Sequence, residues 1–122
     1  MFAARHKLNN LVAIVDRNGL CATDFTDNCV CLDPLQEKWS SFGWDAHTID
    51  GHSFEDIISV LNDFRARKSN KPLAIIANTV KGKGVSFMEC KPAWHHSIPK
   101  GEQMEAARKE LRWTPEESEG AK

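Results

Sequence analysis

The chain has 122 residues, enough for one small domain with a buried core. Hydrophobic residues make up 41% and charged residues 27%, the balance of a folded globular domain rather than a disordered one. A formal charge of −1 leaves no electrostatic case for nucleic acid or an anionic membrane surface.

The opening "MFAARHKL" reads as the end of a helix. "NNLVAIVD" (Asn9–Asp16) is a short apolar run rich in β-branched residues, the pattern of a strand buried on both faces. "PLQEKWSSF" follows with Leu35, Trp39 and Phe42 at helical spacing, and "WDAHTID" (Trp44–Asp50) reads as a second strand. Trp39, Phe42 and Trp44 are read as core residues. "SFEDIISVLNDFRAR" places Phe54, Ile57, Ile58, Leu61 and Phe64 on one helical face. Ser53, with Asp56 three residues on, resembles a capping arrangement at the start of that helix. "KPLAIIANTV" (Lys71–Val80) is a third buried strand. A glycine-bearing loop, "KGKGVSFMECKPAWHHSIPKG", leads to a last helix in which Met104, Ala107 and Leu111 share a side. "TPEESEGAK" (114–122) is a polar, frayed tail, leaving 1–113 as the domain. Strands alternating with helices predict an α/β fold with a parallel sheet and flanking helices.

No apolar stretch approaches the length of a bilayer span and no signal peptide opens the chain, so a cytoplasmic location is expected, with no membrane or nucleic-acid partner. Cys21, Cys29, Cys31 and Cys90 do not follow the usual paired spacings of structural zinc sites; adding His47, His52 or His95 makes ligand sets possible, as any chain with five histidines does. Reduced thiols are the expected state.

In an open parallel sheet, ligands bind beyond the carboxyl ends of the strands. Asn18 follows the first strand, His52 the second, and Lys81 with Gly82 and Gly84 the third, so all three exits should face one edge. An amide oxygen and a neighbouring backbone carbonyl are hard, neutral ligands suited to Mg²⁺ or Ca²⁺. Lysine and loop amides suit phosphate oxygens. Together these features point to the metal–diphosphate end of a cofactor. Each has a plainer reading. Asn-Gly after a strand is a common turn, and "KGKG" lacks the spacing of a Walker loop. Asp50-Gly51-His52-Ser53 reads as a turn into a capped helix, and Trp94-His95-His96 as a surface aromatic beside two solvated imidazoles.

Four segments, "HKLNNLVAIVDRNGL", "FGWDAHTIDGHSFEDI", "KPLAIIANTVKGKGVSFME" and "PAWHH", in this order and spacing, resemble transketolase. They look like the latter part of its amino-terminal, thiamine-diphosphate-binding domain, particularly the form found as a separate small subunit. The likeness runs from about His6 to Leu111. It implies that Asn18 gives its amide oxygen to the divalent metal and touches the diphosphate, and that Leu20 gives its backbone carbonyl to the same metal. It further implies that Lys81 contacts the cofactor and that His95 lies over the diphosphate as a catalytic residue meeting the sugar substrate. The family reaction transfers a two-carbon ketol unit between sugar phosphates.

The sequence departs from the family pattern in several places. The Gly-Asp-Gly that opens the family's cofactor motif is absent, and with it the metal site's anionic protein ligand. His96 stands where the family usually has glycine, and "CATDFTDNCVCLD" differs from the usual connection. The pyrimidine-binding domain, with the glutamate that activates the cofactor ring, is not in the chain. The expectation is a fragment of a transketolase amino-terminal subunit, inactive alone, that works with a carboxy-terminal subunit and in a homo-oligomer. The alternatives are a non-catalytic scaffold that binds a partner, or part of another thiamine-diphosphate enzyme such as a keto-acid dehydrogenase component.

Overall fold

The computed structural model describes residues 1–113; the tail expected at 114–122 lies outside the described residues. Its centre is a strand with no polar side chain before its last residue. β3 (Leu73–Asn78) reads Leu-Ala-Ile-Ile-Ala-Asn, and its first five residues are buried. Such a strand needs cover on both faces and a neighbour on both edges. It has both neighbours: β1 (Val12–Arg17) and β2 (Asp45–Asp50) run parallel to it, giving the order β1-β3-β2. The expected parallel α/β sheet is therefore present.

Alternation along β3 feeds two cores. Ala74 and Ile76 pack with Trp44 and Ala46 on one face, against Ala3 and Ala4 of α1 (Phe2–Arg5) and Leu35 and Trp39 of α3 (Leu35–Ser41). Trp39 meets Trp44 edge-on at 4.8 Å between ring centroids. Leu73 and Ile75 face the other way, onto Val60, Leu61 and Phe64 of α4 (Phe54–Ala66). Full burial of Leu73, Ile75 and Ile76 contributes about 2 kcal/mol each.

Ser53 caps α4 as its spacing predicts, its hydroxyl oxygen accepting the Asp56 N–H at 3.1 Å. A short helix not anticipated from sequence, α2 (Thr26–Cys29), lies in the cysteine-rich connection. The last helix, α5 (Glu102–Glu110), buries Ala107.

Three burial expectations need correction. β1 is an edge strand, and Ile14 is 66% exposed because no described element covers it. Phe54 and Ile58 of α4 are 81% and 56% exposed, while Val60, absent from the expected face, is buried. The helix lies over β2 and β3, so the side toward β1 stays open as a shallow groove lined by Val12, Ile58, Leu61 and Phe64. Phe42 is also exposed, as it sits at the end of α3, past the turn that packs on the sheet.

Where β2 ends, Gly51 donates its N–H to Asn78 O at 2.7 Å. A Cβ there would lie 2.5 Å from Thr79 Cγ2 and 3.0 Å from Ala77 Cβ and Asn78 O. Gly51→Ala is expected to lower stability by about 1–3 kcal/mol, read as a reduced urea midpoint with unchanged slope.

α5 is tethered to the loop after β3 through Glu110, which accepts the Ser86 N–H at 2.5 Å and the Ser86 hydroxyl at 2.8 Å. The backbone N–H bond first, and the hydroxyl second, hold the Glu110 carboxyl below its ordinary value. A depressed carboxyl stabilises the fold above the unfolded value, and that contribution is lost as pH falls through the folded one. Acidification below the ordinary glutamate range should therefore lower the protection of the Ser86 amide relative to its intrinsic exchange rate, and Glu110→Gln should remove that pH dependence of protection.

Candidate functional site

The carboxyl ends of the three strands are in register: Arg17 and Asp50 both pair with Asn78. Their exits consequently form one rim, and a set of hydrogen bonds joins them. Thr79 donates its hydroxyl to Asp16 Oδ1 and its N–H to Arg17 O. His52 donates its N–H to Asp50 Oδ1 at 2.9 Å, and its ring Nε2 accepts the Val80 N–H at 2.8 Å. The β2 exit is thus tied to the β3 exit by an imidazole, and the β3 exit to β1 by a hydroxyl–carboxylate bond.

At the β1 exit Asn18 closes a turn upon itself. Its Oδ1 accepts the Leu20 N–H at 2.9 Å, and its Nδ2 donates to Asp16 Oδ2 at 3.2 Å. Gly19 between them has φ +74°, a conformation that suits glycine. Asn18, Gly19 and Leu20 line a small cleft of about 120 Å³ with Asp16, Thr26 and Leu32. An amide oxygen has two acceptor directions, so Asn18 Oδ1 keeps one for a cation while it holds Leu20 in place. The donor chemistry fits one side of a hard-metal site. The two donors are neutral, however, and no group of three or more His, Cys, Asp or Glu suited to a metal occurs among the described residues. Asp16 is the carboxylate that shares the cleft, its oxygens engaged by Thr79 and Asn18.

Beyond Val80 the chain folds into a compact loop. Cys90 N–H returns to Lys81 O at 3.0 Å, and Gly84 N–H meets Glu89 Oε1 at 2.9 Å. Gly82, at φ +74°, leaves no room for a Cβ, which would lie 2.9 Å from the Met88 carbonyl group. Lys81 is half-buried at the start of this loop, and no carboxylate among the described residues pairs with it.

A 3-10 turn at Pro92–Trp94 carries His95. Trp94 anchors the turn by donating its indole N–H to Phe87 O at 3.0 Å. His95 and His96 are both exposed, with their rings edge-on at 4.4 Å. His96 adopts a negative φ, so the backbone there does not require the glycine usual in the family. The structure brings Asn18, Leu20, His52 and the β3 exit leading to Lys81 to one rim. It attaches His95 to the same loop, but no hydrogen bond among the described residues links its ring to Asn18 or Lys81. A larger groove of about 430 Å³ follows β2 and α4, lined among others by Asp45, His47, Asp63 and Arg67, and contains none of these residues.

Sequence reasoning missed the hydrogen bonds by which Asp16, Thr79 and the His52 ring join the strand exits. The only signal was their position beside the strand ends; the pairing partners are distant in sequence. In the connecting segment, Cys21 Sγ lies 3.3 Å from Cys29 Sγ. The Thr23 backbone first, then the Cys29 thiol, hold Cys21 below the ordinary thiol value.

The family model described as "Transketolase, thiamine diphosphate binding domain" matches residues 1–119. The chain belongs to this family. It is 42% identical over 110 residues to an apulose-4-phosphate transketolase subunit of Actinobacillus succinogenes, covering 90% of this chain and 39% of that protein. It is 40% identical over 121 residues to the 6-deoxy-6-sulfo-D-fructose transketolase subunit SqwG of a Clostridium species, covering 99% of this chain and 42% of that one. The chain thus spans about two-fifths of the length of these curated relatives. Among solved structures, the transketolase of Campylobacter jejuni superposes with a TM-score of 0.80 at 28% identity, over 93% of this chain and 18% of that one. The transketolase of Pichia stipitis, at 20% identity, shares the fold with a TM-score of 0.82, over 94% of this chain and 17% of that one.

Asn18→Ala and His52→Ala should each cost about 1 kcal/mol. They should selectively speed amide exchange at Leu20 and Val80 respectively, while exchange in the centre of β3 follows only the global change. Equal acceleration throughout the sheet would contradict the local role given to each side chain.

Proposed function

We propose that this transketolase-family chain supplies the diphosphate and metal side of a thiamine-diphosphate site, in an enzyme that transfers two-carbon ketol units between sugar phosphates. The observation that carries the reading is the Asn18–Leu20 turn, in which the Asn18 amide oxygen accepts the Leu20 N–H on the rim shared with the β3 exit. When bound, thiamine diphosphate supplies the nucleophilic carbon and the electron sink of the reaction. Asn18 Oδ1 and Leu20 O would serve as ligands to Mg²⁺ or Ca²⁺, and Asn18 would also contact the diphosphate. The Lys81 ammonium offsets the diphosphate charge. His95, exposed on the loop after β3, would meet the sugar substrate, its imidazole supplying proton exchange with a sugar hydroxyl.

Two neutral ligands leave a small divalent ion mostly hydrated, so the isolated 122-residue chain is inactive and binds the cofactor weakly. Two relatives are named as transketolase subunits, and we assign this chain a carboxy-terminal partner subunit within a homo-oligomer. The exposed Ile14, Phe54 and Ile58 side chains support association, because they leave apolar surface open to water. No helix among the described residues is long and apolar enough to cross a membrane, and the reading places the reaction in the cytoplasm.

Calorimetric titration of thiamine diphosphate with Mg²⁺ into the pure chain should show no micromolar binding. Addition of a carboxy-terminal transketolase subunit should restore turnover of a ketose phosphate, and Asn18→Ala should weaken cofactor binding in that complex by about tenfold or more. Micromolar binding by the chain alone would overturn the incomplete-site reading. Association without turnover would favour a scaffold.

A further inference from the structure

We propose that Cys21 and Cys29 form a reversible redox pair that takes a low-molecular-weight disulfide as co-reactant and sets the shape of the β1 exit turn. The proposal stands apart from the cofactor reading, because it rests on the connecting hairpin alone. All four cysteines are free, and the sulfurs of Cys21 and Cys29, eight residues apart, are 3.3 Å from one another. A disulfide needs about 2.05 Å, so closing the bond draws the two cysteines closer together.

The backbone already holds the two thiols together. Cys21 N–H donates to Asp24 O at 2.8 Å, and Leu20 bridges Phe25 in antiparallel fashion. Asp24 Oδ1 accepts from Phe25 N–H at 2.7 Å and from Asn28 Nδ2 at 3.0 Å, which fixes the start of the helix that ends at Cys29. Loop closure is therefore largely complete before any covalent bond forms. The other two thiols are placed elsewhere: Cys31 leans toward Asp33 O at 3.9 Å, and Cys90 follows the β3 loop. Cys29 is exposed and Cys21 half-buried, so a small reagent reaches the pair from solvent.

In the exchange, one thiolate of the pair attacks a sulfur of the small disulfide, forming a mixed disulfide and releasing one small thiol. The second thiolate attacks the cysteine sulfur of that mixed disulfide and expels the other half as a second small thiol. The pair loses two electrons, the small disulfide gains them, and the protons leaving the cysteines end on the released thiols. The consequence reaches the rim because Thr26 N–H, within the same hairpin, donates to Gly19 O at 2.9 Å. Drawing Cys29 toward Cys21 pulls on that bond, and so on the turn containing Gly19 and Leu20.

The test uses the full chain equilibrated in glutathione buffers from reduced to oxidised, quenched by alkylation and mapped by mass spectrometry after cleavage at aspartate. At the oxidised end two of the four thiols should escape alkylation, and the map should join Cys21 to Cys29. Cys31→Ser and Cys90→Ser should keep this linkage, and Cys29→Ser should lose it. The amide resonances of Gly19 and Leu20 in the wild-type chain should shift on oxidation and return with dithiothreitol. Full alkylation at the oxidised end, pairing through Cys31, only interchain disulfides, or unshifted Gly19 and Leu20 amides would each overturn the proposal.

Discussion

Everything at the candidate site depends on the side-by-side register of Arg17, Asn78 and Asp50 at the carboxyl ends of the strands. Parallel pairing on both edges of β3 forces this alignment, and burial of β3 on both faces makes slippage costly. A shift by one residue would turn Leu73 and Ile75 away from α4 and send every exit loop to a new height. The rim is thus a by-product of core packing. Its chemistry comes from residues just past the strands, where side chains are free of the ladder.

Those residues tie the exits together before any ligand is considered. The imidazole of His52 serves as an acceptor for a backbone amide from another loop, a use that requires an unprotonated Nε2. Asp16 divides its carboxylate between Thr79 and Asn18. Asn18 in turn shapes its own turn while retaining acceptor capacity. The strand exits are thereby joined by side-chain hydrogen bonds from residues just outside the ladder.

The packing also leaves apolar surface open. Ile14 lies on the sheet face that carries α4, beyond the reach of that helix at the β1 edge, and α4 presents Phe54 and Ile58 to solvent. Apolar surface of this kind is stabilised by burial against another segment or chain. The relatives that the chain matches are more than twice its length.

Local pattern alone determined the three strands, the capped α4, the α3 helix and the parallel α/β class, because periodicity and capping are short-range properties. The "DRNGL" turn and the order of the four family-like segments were likewise readable without coordinates. Tertiary structure decided which apolar faces are covered: Ile14, Phe42, Phe54 and Ile58 have the pattern of buried residues but are exposed. It also decided that Val80 finds the His52 ring, that Thr79 finds Asp16, and that Cys21 touches Cys29. Burial and long-range hydrogen bonds depend on what the rest of the chain brings alongside, and the identity of a residue does not carry that information.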